Sequence, residues 1–145
     1  MPVLIDSTKF DEYKQTLPVN EQQKFYRLGA RAWDIALARY LAEQSKADCS
    51  YINVTEWAAA MGFDKPLGAK NLMFPVNDKY ALALSKEQLQ RPVIVAVVKF
   101  GEEKTADQIL IDGTHRLRAA FLRGIIELPC YILNQKQARK CEVRL

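Results

Sequence analysis

Apolar residues in the first third of the chain recur at helical spacing, which predicts mainly helical structure there. Asp6 and Ser7 have the chemistry to cap a first helix over residues 8–16, and Pro18 would end it. Asn20 and Gln23 then have the spacing of a capping box. The stripe behind them is formed by Phe25, Leu28, Ala32, Ile35 and Leu41, and is broadened by Trp33, Leu37 and Tyr40. It predicts one long helix, Phe25–Leu41, wide enough to contact more than one neighbour.

The middle of the chain changes to patterns that are typical of strands. Residues 51–54 predict a short strand, and Thr55 would cap a brief helix after it. The alternating Tyr80, Leu82 and Leu84 predict a half-buried strand. Ser85 and Gln88 form a second capping box. The β-branched run over residues 93–98 predicts a central strand buried on both faces, and residues 129–133 predict a last strand.

The sharpest junction lies in the stretch ILIDGTHRLRAAFLRG, Ile109–Gly124. An apolar run ends at Asp112-Gly113, and a helical pattern that ends at Gly124 follows at once. The turn holds His115, the only histidine in the chain. A helix N-terminus presents backbone N–H groups and partial positive charge, so this junction is suited to bind an anion such as phosphate.

Taken together, these elements predict an α+β protein with a small mixed sheet flanked by helices. At 145 residues we expect one domain, with a helical N-terminal extension (1–48), a core (49–133) and a basic tail (134–145). No apolar run reaches the roughly 20 residues of a membrane span, so no membrane partner is expected. The N-terminus lacks the basic and apolar regions of a secretory signal, which favours a cytoplasmic location.

Charge and cysteine content add two constraints. The formal net charge is +4, and from Arg116 onward seven basic residues are opposed only by Glu127 and Glu142. That end would attract phosphates of nucleotides or of a nucleic-acid backbone, although for the tail alone a solvated, solubilising surface is the favoured explanation. The three cysteines have no CxxC spacing and the chain has one histidine, so we expect reduced thiols, with Cys130 buried in a strand, and no zinc site.

The stretch IDGTHRLRAAFLRGIIELPCYIL, residues 111–133, resembles the signature of the ParB/sulfiredoxin-like superfamily, and LQRPVIVAVVKF resembles its helix–Pro–strand lead-in. The resemblance covers about residues 82–133. It implies the superfamily's small mixed sheet flanked by helices, and a nucleotide-phosphate site at the turn. Carried over to this sequence, the phosphate-binding residues are Gly113, Thr114, His115 and Arg116, and His115 and Arg116 are also expected to be catalytic.

The chemistry of these residue types agrees with that role. Gly113 allows a sharp turn and close approach of a ligand, and Thr114 can cap the helix and offer a hydroxyl group. Arg116 can form a bidentate contact to phosphate oxygens, and His115 can donate a hydrogen bond or act as an acid or base. Asp112, at the end of the strand, is a third catalytic candidate, because it can orient either of them or help to hold a metal ion through water. Turn formation and helix capping explain Asp112 equally well. The expected cofactor is ATP or a related nucleotide, and Mg²⁺ can bind together with it.

Two differences from the superfamily pattern reduce the number of functions that the resemblance implies. Sulfiredoxins have cysteine before the His-Arg pair, and Thr114 cannot replace its thiolate. Only 21 residues follow Gly124, too few for the DNA-binding and dimerisation domains of partition proteins. We therefore expect a stand-alone member of the kind called a ParB-like nuclease domain.

Three functions remain open from the sequence. The first is nucleotide binding and hydrolysis at the DGTHR turn. The second is DNA binding or metal-dependent nuclease activity at the same site. The third is an inhibitor or adaptor from a plasmid or phage, with a relict site and with a protein partner or self-association through the Phe25–Leu41 helix. Candidate catalytic carboxylates are Asp78, Glu87, Glu102 and Glu103, and Arg118 is a further candidate ligand contact; each also has an ordinary structural explanation.

Overall fold

The computed structural model describes residues 7–45, 49–69, 76–102 and 104–143. Helices and strands are intermixed along these ranges, so the prediction of an α+β protein is confirmed. The elements are α1 (Ser7–Thr16), α2 (Val19–Gln22), β1 (Phe25–Leu28), β2 (Arg31–Asp34), α3 (Ile35–Gln44), β3 (Cys49–Asn53), α4 (Val54–Ala60), α5 (Asp78–Leu82), α6 (Lys86–Gln90), β4 (Val93–Val98), β5 (Asp107–Asp112), α7 (Thr114–Leu122), β6 (Glu127–Leu133), α8 (Gln135–Cys141) and β7 (Glu142–Val143). In the ranges that are described, none of the helices has the length and apolar character needed to cross a bilayer.

The chain divides into two compact units. The first comprises Met1–Asp48, Ala96–Ile109 and Leu133–Leu145, and the second comprises Cys49–Val95 and Leu110–Ile132. The boundaries of the N-terminal extension, the core and the basic tail, at residues 48 and 133, stay a prediction. Residues of the predicted basic tail form α8, which starts with a capping box between Asn134 and Gln137, and β7.

The first unit contains a three-stranded antiparallel sheet in the order β1-β2-β7. The predicted helix Phe25–Leu41 is therefore wrong over its first half, and the N-terminal third is not purely helical. Leu28 pairs with Arg31 across a two-residue turn in which Gly29 has φ 61°, as a tight hairpin requires. The capping box predicted at Asn20 is also wrong, because α2 follows Pro18 without a side-chain cap.

Helix α3 begins only at Ile35, after Asp34, whose carboxylate accepts a hydrogen bond from the Leu37 N–H at 3.2 Å. Much of the apolar stripe is used inside the protein, since Trp33 is fully buried and Ile35 and Tyr40 are nearly so. Phe25–Leu28 and Arg31–Asp34 are strands, so the continuous Phe25–Leu41 helix predicted as a surface for self-association is not present. A protein partner stays a prediction.

The second unit holds an apolar core, and in it α7 packs against α4, α5 and α6. Its buried members are Ile52, Val54, Ala58, Met61, Phe63, Val93, Val95, Leu110, Leu117, Ala120, Leu128 and Cys130. The predicted strand over Tyr80–Leu84 is wrong: Asn77 accepts a hydrogen bond from the Tyr80 N–H and caps helix α5 instead. The capping box at Ser85 and the burial of Cys130 in a strand are confirmed.

A four-stranded sheet has the order β3-β6-β4-β5. Strand β4 lies inside this order and is buried at five of its six positions, which confirms the predicted central strand. Strand β6 pairs antiparallel with β3, with Cys130 opposite Ser50. Strand β5 leads directly into α7, so the sheet positions the start of that helix.

Candidate functional site at the start of helix α7

Gly113 joins β5 to α7, and only glycine fits at this position. Its φ is 112°, in the region that L side chains avoid. A Cβ atom here would lie 2.3 Å from Cγ1 and 2.7 Å from Cβ of Val93 on the central strand β4. The predicted strand–turn–helix junction is thus confirmed, and its tightness comes from contact between the turn and the sheet.

The N-terminus of α7 has no side-chain cap. The structure places Gly113 at the N-cap and Thr114 at the first helical position, so the predicted capping role of Thr114 is wrong. The first turn carries no acidic residue. Because the positive end of the helix is not neutralised from within that turn, it favours a negatively charged group.

Asp112 and Arg116 come together as predicted, but they bind each other. Arg116 Nη2 donates to Asp112 Oδ2 at 3.1 Å, and both side chains are largely buried. Arg116 Nη1 also donates to the carbonyl oxygens of Arg91 and Pro92, at 2.6 and 3.0 Å. These bonds fasten the first turn of α7 to the segment that precedes β4.

His115 is held against the start of helix α5. The Asn77 N–H donates to His115 Nε2 at 3.1 Å, and the ring of Tyr80 meets the imidazole edge-on with 4.9 Å between centroids. In this bond Nε2 is the acceptor, so the imidazole presents a ring lone pair to the Asn77 N–H. Asn77, the N-cap residue of α5, and Tyr80 within that helix therefore help to orient the imidazole.

Arg118 does not belong to a ligand site, although it was a candidate contact. Its side chain has no exposed surface, and Nε donates to Asp78 Oδ1 at 2.9 Å. Further bonds reach Asp78 Oδ2 and the carbonyl oxygens of Phe63, Lys65 and Pro66. This buried arginine organises the chain over residues 63–66, and its sequence neighbours gave no sign of it.

The carboxylate candidates are placed differently from one another. Hydrogen bonding by Arg118 is the main cause that lowers the pKa of Asp78, and a bond from the Gly68 N–H adds to it. Asp78 is therefore a structural carboxylate. Glu87 and Glu102 are exposed, and Glu103 lies outside the described residues. Over the part of the chain that the structure describes, no group of three or more His, Cys, Asp or Glu side chains is arranged to hold a metal ion.

Comparison of the chain with protein-family models, with curated proteins and with solved structures gives no match. The geometry of the junction therefore has to support a function by itself. It consists of a glycine-only turn, an uncapped helix N-terminus, an oriented histidine, and an internal Asp112–Arg116 pair that fixes the turn.

Proposed function

We propose that residues 113–116 bind a phosphate group of a nucleotide of the ATP class, and that the chain is a stand-alone member of the ParB/sulfiredoxin-like superfamily. The observation that carries the proposal is the junction at Gly113. There the end of a strand and an uncapped helix N-terminus are held together by a residue that cannot be anything but glycine. Such a junction lets a phosphate approach the backbone closely.

The four residues have different roles in the proposed site. Gly113 permits the approach, Thr114 contributes its hydroxyl group, and the imidazole of His115 lies in the first turn beside them. Arg116 acts mainly as a positioning residue, because its guanidinium already binds Asp112 and two carbonyl oxygens. Its charge still adds to the attraction for phosphate.

The geometry supports binding more directly than hydrolysis. Asp112 and Asp78 are both hydrogen-bonded to arginines. The bond from Arg118 lowers the pKa of Asp78, which makes that carboxylate a weak base. Phosphoryl transfer depends chiefly on positioning and charge neutralisation, so hydrolysis with Mg²⁺ is the second step to test after binding is established.

Thr114→Asp provides a sharp test because it separates binding from folding. An aspartate in the first turn is favourable for the helix by about 0.3–1 kcal/mol, yet it repels phosphate. We expect ATP, with and without Mg²⁺, to raise the melting temperature of the unsubstituted protein. The variant should melt at the same temperature or higher without ATP and show no shift with it.

Thr114→Asn is the matched control, since it keeps the size of aspartate without the charge. It should retain most of the ATP-dependent shift. A ligand at 100 times its Kd stabilises a protein by about 2.7 kcal/mol, which is easily measured. The proposal fails if millimolar ATP gives no shift in the unsubstituted protein, or if Thr114→Asp responds as strongly as the control.

A further inference from the structure

A second cluster of basic side chains surrounds a cavity in the first compact unit, away from the α7 junction in sequence. The cavity has a volume of about 110 Å³. Its wall includes Arg31, Val98, Lys99, Gln135, Arg139 and Glu142. These residues come from strand β2, the end of β4, helix α8 and strand β7, so the cavity is a product of the fold and not of one segment.

Arg31 and Glu142 form a rigid and electrically balanced part of this wall. Arg31 Nε and Nη2 donate to the two carboxylate oxygens of Glu142 at 3.0 and 2.6 Å. The guanidinium lies over the rings of Trp33 and Phe100, at 5.3 and 5.2 Å from their centroids. Nη1 also donates to the Lys99 carbonyl oxygen at 2.8 Å. The pair therefore contributes shape and fixed hydrogen-bonding groups but little net charge.

Lys99 and Arg139 supply the charge that is left over. Both side chains are exposed, and among the described residues neither makes a hydrogen bond or an ion pair. Among the described residues of the wall, Glu142 is the one carboxylate and it is paired with Arg31, so these residues leave an excess of two positive charges. Two cations from separate elements beside one small cavity favour a compact dianion.

We propose that this cavity binds the phosphate group of a small molecule, either inorganic phosphate or a small phosphate monoester. Sites for drug-sized ligands occupy about 300–1,000 Å³, so this volume suits a phosphate group and not a whole nucleotide. A phosphate group carries about −1.5 to −2 charges near pH 7, which matches the excess from Lys99 and Arg139. The Gln135 amide adds an uncharged polar group to the wall. The site shares no residue with the proposed nucleotide site, and this proposal does not rest on that one.

The test is an NMR titration of the full chain, labelled on its backbone amides, with inorganic phosphate, glycerol 3-phosphate and acetate. We expect both phosphates to shift amides at residues 97–99 and 135–142, and acetate to bind at least about ten-fold more weakly because it has half the charge. Comparison of the two phosphates distinguishes the free ion from a monoester. Lys99→Gln and Arg139→Gln should each weaken phosphate binding by about ten-fold.

Lys136→Gln is the matched control, because Lys136 is an exposed cation on the same helix that does not line the cavity. It should bind phosphate within two-fold of the unsubstituted protein, roughly the limit set by screened, distant charge. Thr114→Asp should also leave this binding unchanged, which keeps the two sites distinguishable. The proposal is overturned if phosphate shifts no amide around the cavity, or if Lys136→Gln weakens binding as much as Arg139→Gln does.

Discussion

Arg118 shows how a charged side chain can be part of a protein core. Its guanidinium is fully buried, and each of its bonding groups meets either Asp78 or a backbone carbonyl oxygen. A buried charge is tolerated only when it is paired and hydrogen-bonded in this way. The partners lie 40 to 55 positions away in the sequence, so no local pattern around Arg118 predicts its burial.

Replacement of Arg118 by alanine should destabilise the protein severely. The substitution removes the donors that Arg118 supplies to the carboxylate of Asp78 and to the carbonyl oxygens of Phe63, Lys65 and Pro66. Removal of one partner of a buried ion pair costs about 3–5 kcal/mol. Urea unfolding followed by far-ultraviolet circular dichroism measures the change in free energy of unfolding.

Arg123→Ala is the appropriate control, because Arg123 also donates to two carbonyl oxygens, those of Leu82 and Leu84, but is exposed. We expect a loss of about 1 kcal/mol, since water can replace the missing donor. Equal losses in free energy of unfolding for Arg118→Ala and Arg123→Ala would show that the buried hydrogen bonds of Arg118 stabilise the protein no more than exposed ones do.

The three cysteines should differ in reactivity according to their surroundings. Cys141 is buried, its thiol donates to the Ala138 carbonyl oxygen at 3.3 Å, and burial raises its pKa to about 12. Burial also raises the pKa of Cys130, whereas Cys49 is exposed. Because the thiolate is the reactive form, the two buried groups should be unreactive near neutral pH.

Titration with a thiol-specific reagent at pH 8 should therefore modify one cysteine rapidly in the native protein and three in urea. Cys49→Ser should abolish the rapid phase, and Cys130→Ser should leave it intact. Rapid modification of more than one thiol in the native state would contradict the packing around Cys130 or Cys141.

Among the helices and strands, those that have a long apolar pattern could be predicted from the sequence. So could those that begin or end at residues with a single structural role. Strand β4 and helix α7 are of this kind, as is the capping box of α6. The β1–β2 hairpin was missed, because Phe25, Leu28 and Ala32 fit the spacing of a helix as well as that of two short strands. The available signal was Gly29, which costs about 1 kcal/mol inside a helix but is favoured in a tight hairpin turn.

The backbone path of the candidate site could be predicted from the sequence, but the hydrogen-bond partners of its side chains could not. Asp112, Gly113 and the start of α7 follow from the apolar run and the Asp-Gly step. That Arg116 reaches back to Arg91 and Pro92 depends on the path of the segment before β4, about 25 residues earlier. The position of Asn77 next to His115 has the same origin, since it needs the fold of α5 against α7.

Gly113→Ala tests the β5–α7 junction directly. The new Cβ would collide with Val93 on the central strand, in addition to the strain of a positive φ. Strain of this kind costs about 1–3 kcal/mol, and overpacking adds a similar amount. We expect a loss of at least about 3 kcal/mol in free energy of unfolding, measured in urea.

Gly124→Ala isolates the collision, because Gly124 also has a positive φ, 71°, but a Cβ there would meet nothing within 4 Å. It should cost about 1–2 kcal/mol, the penalty of the backbone conformation alone. If both glycines tolerate alanine equally, close contact with Val93 does not constrain the junction.

For the whole molecule, the structure shows that several basic side chains of the C-terminal part bind groups within the protein itself. Three of the seven basic residues from Arg116 onward are used internally: Arg116 pairs with Asp112, Arg118 is buried, and Arg123 binds two carbonyl oxygens. Arg144 lies outside the described residues. The basic groups that α8 contributes are Lys136, Arg139 and Lys140. This is a sparse set for a DNA backbone, which favours proteins that contact many phosphates at once.

We therefore expect weak, non-specific binding of duplex DNA, with a Kd no tighter than about 10⁻⁴ M at physiological salt. A protein that neutralises only two or three phosphates should show a slope of log K against log salt of about −2 to −3. Fluorescence polarisation with a labelled duplex between 50 and 200 mM salt measures both quantities. Micromolar binding at 200 mM salt with a slope of about −6 or steeper would instead require a dense basic surface, and would favour the DNA hypothesis over the nucleotide site.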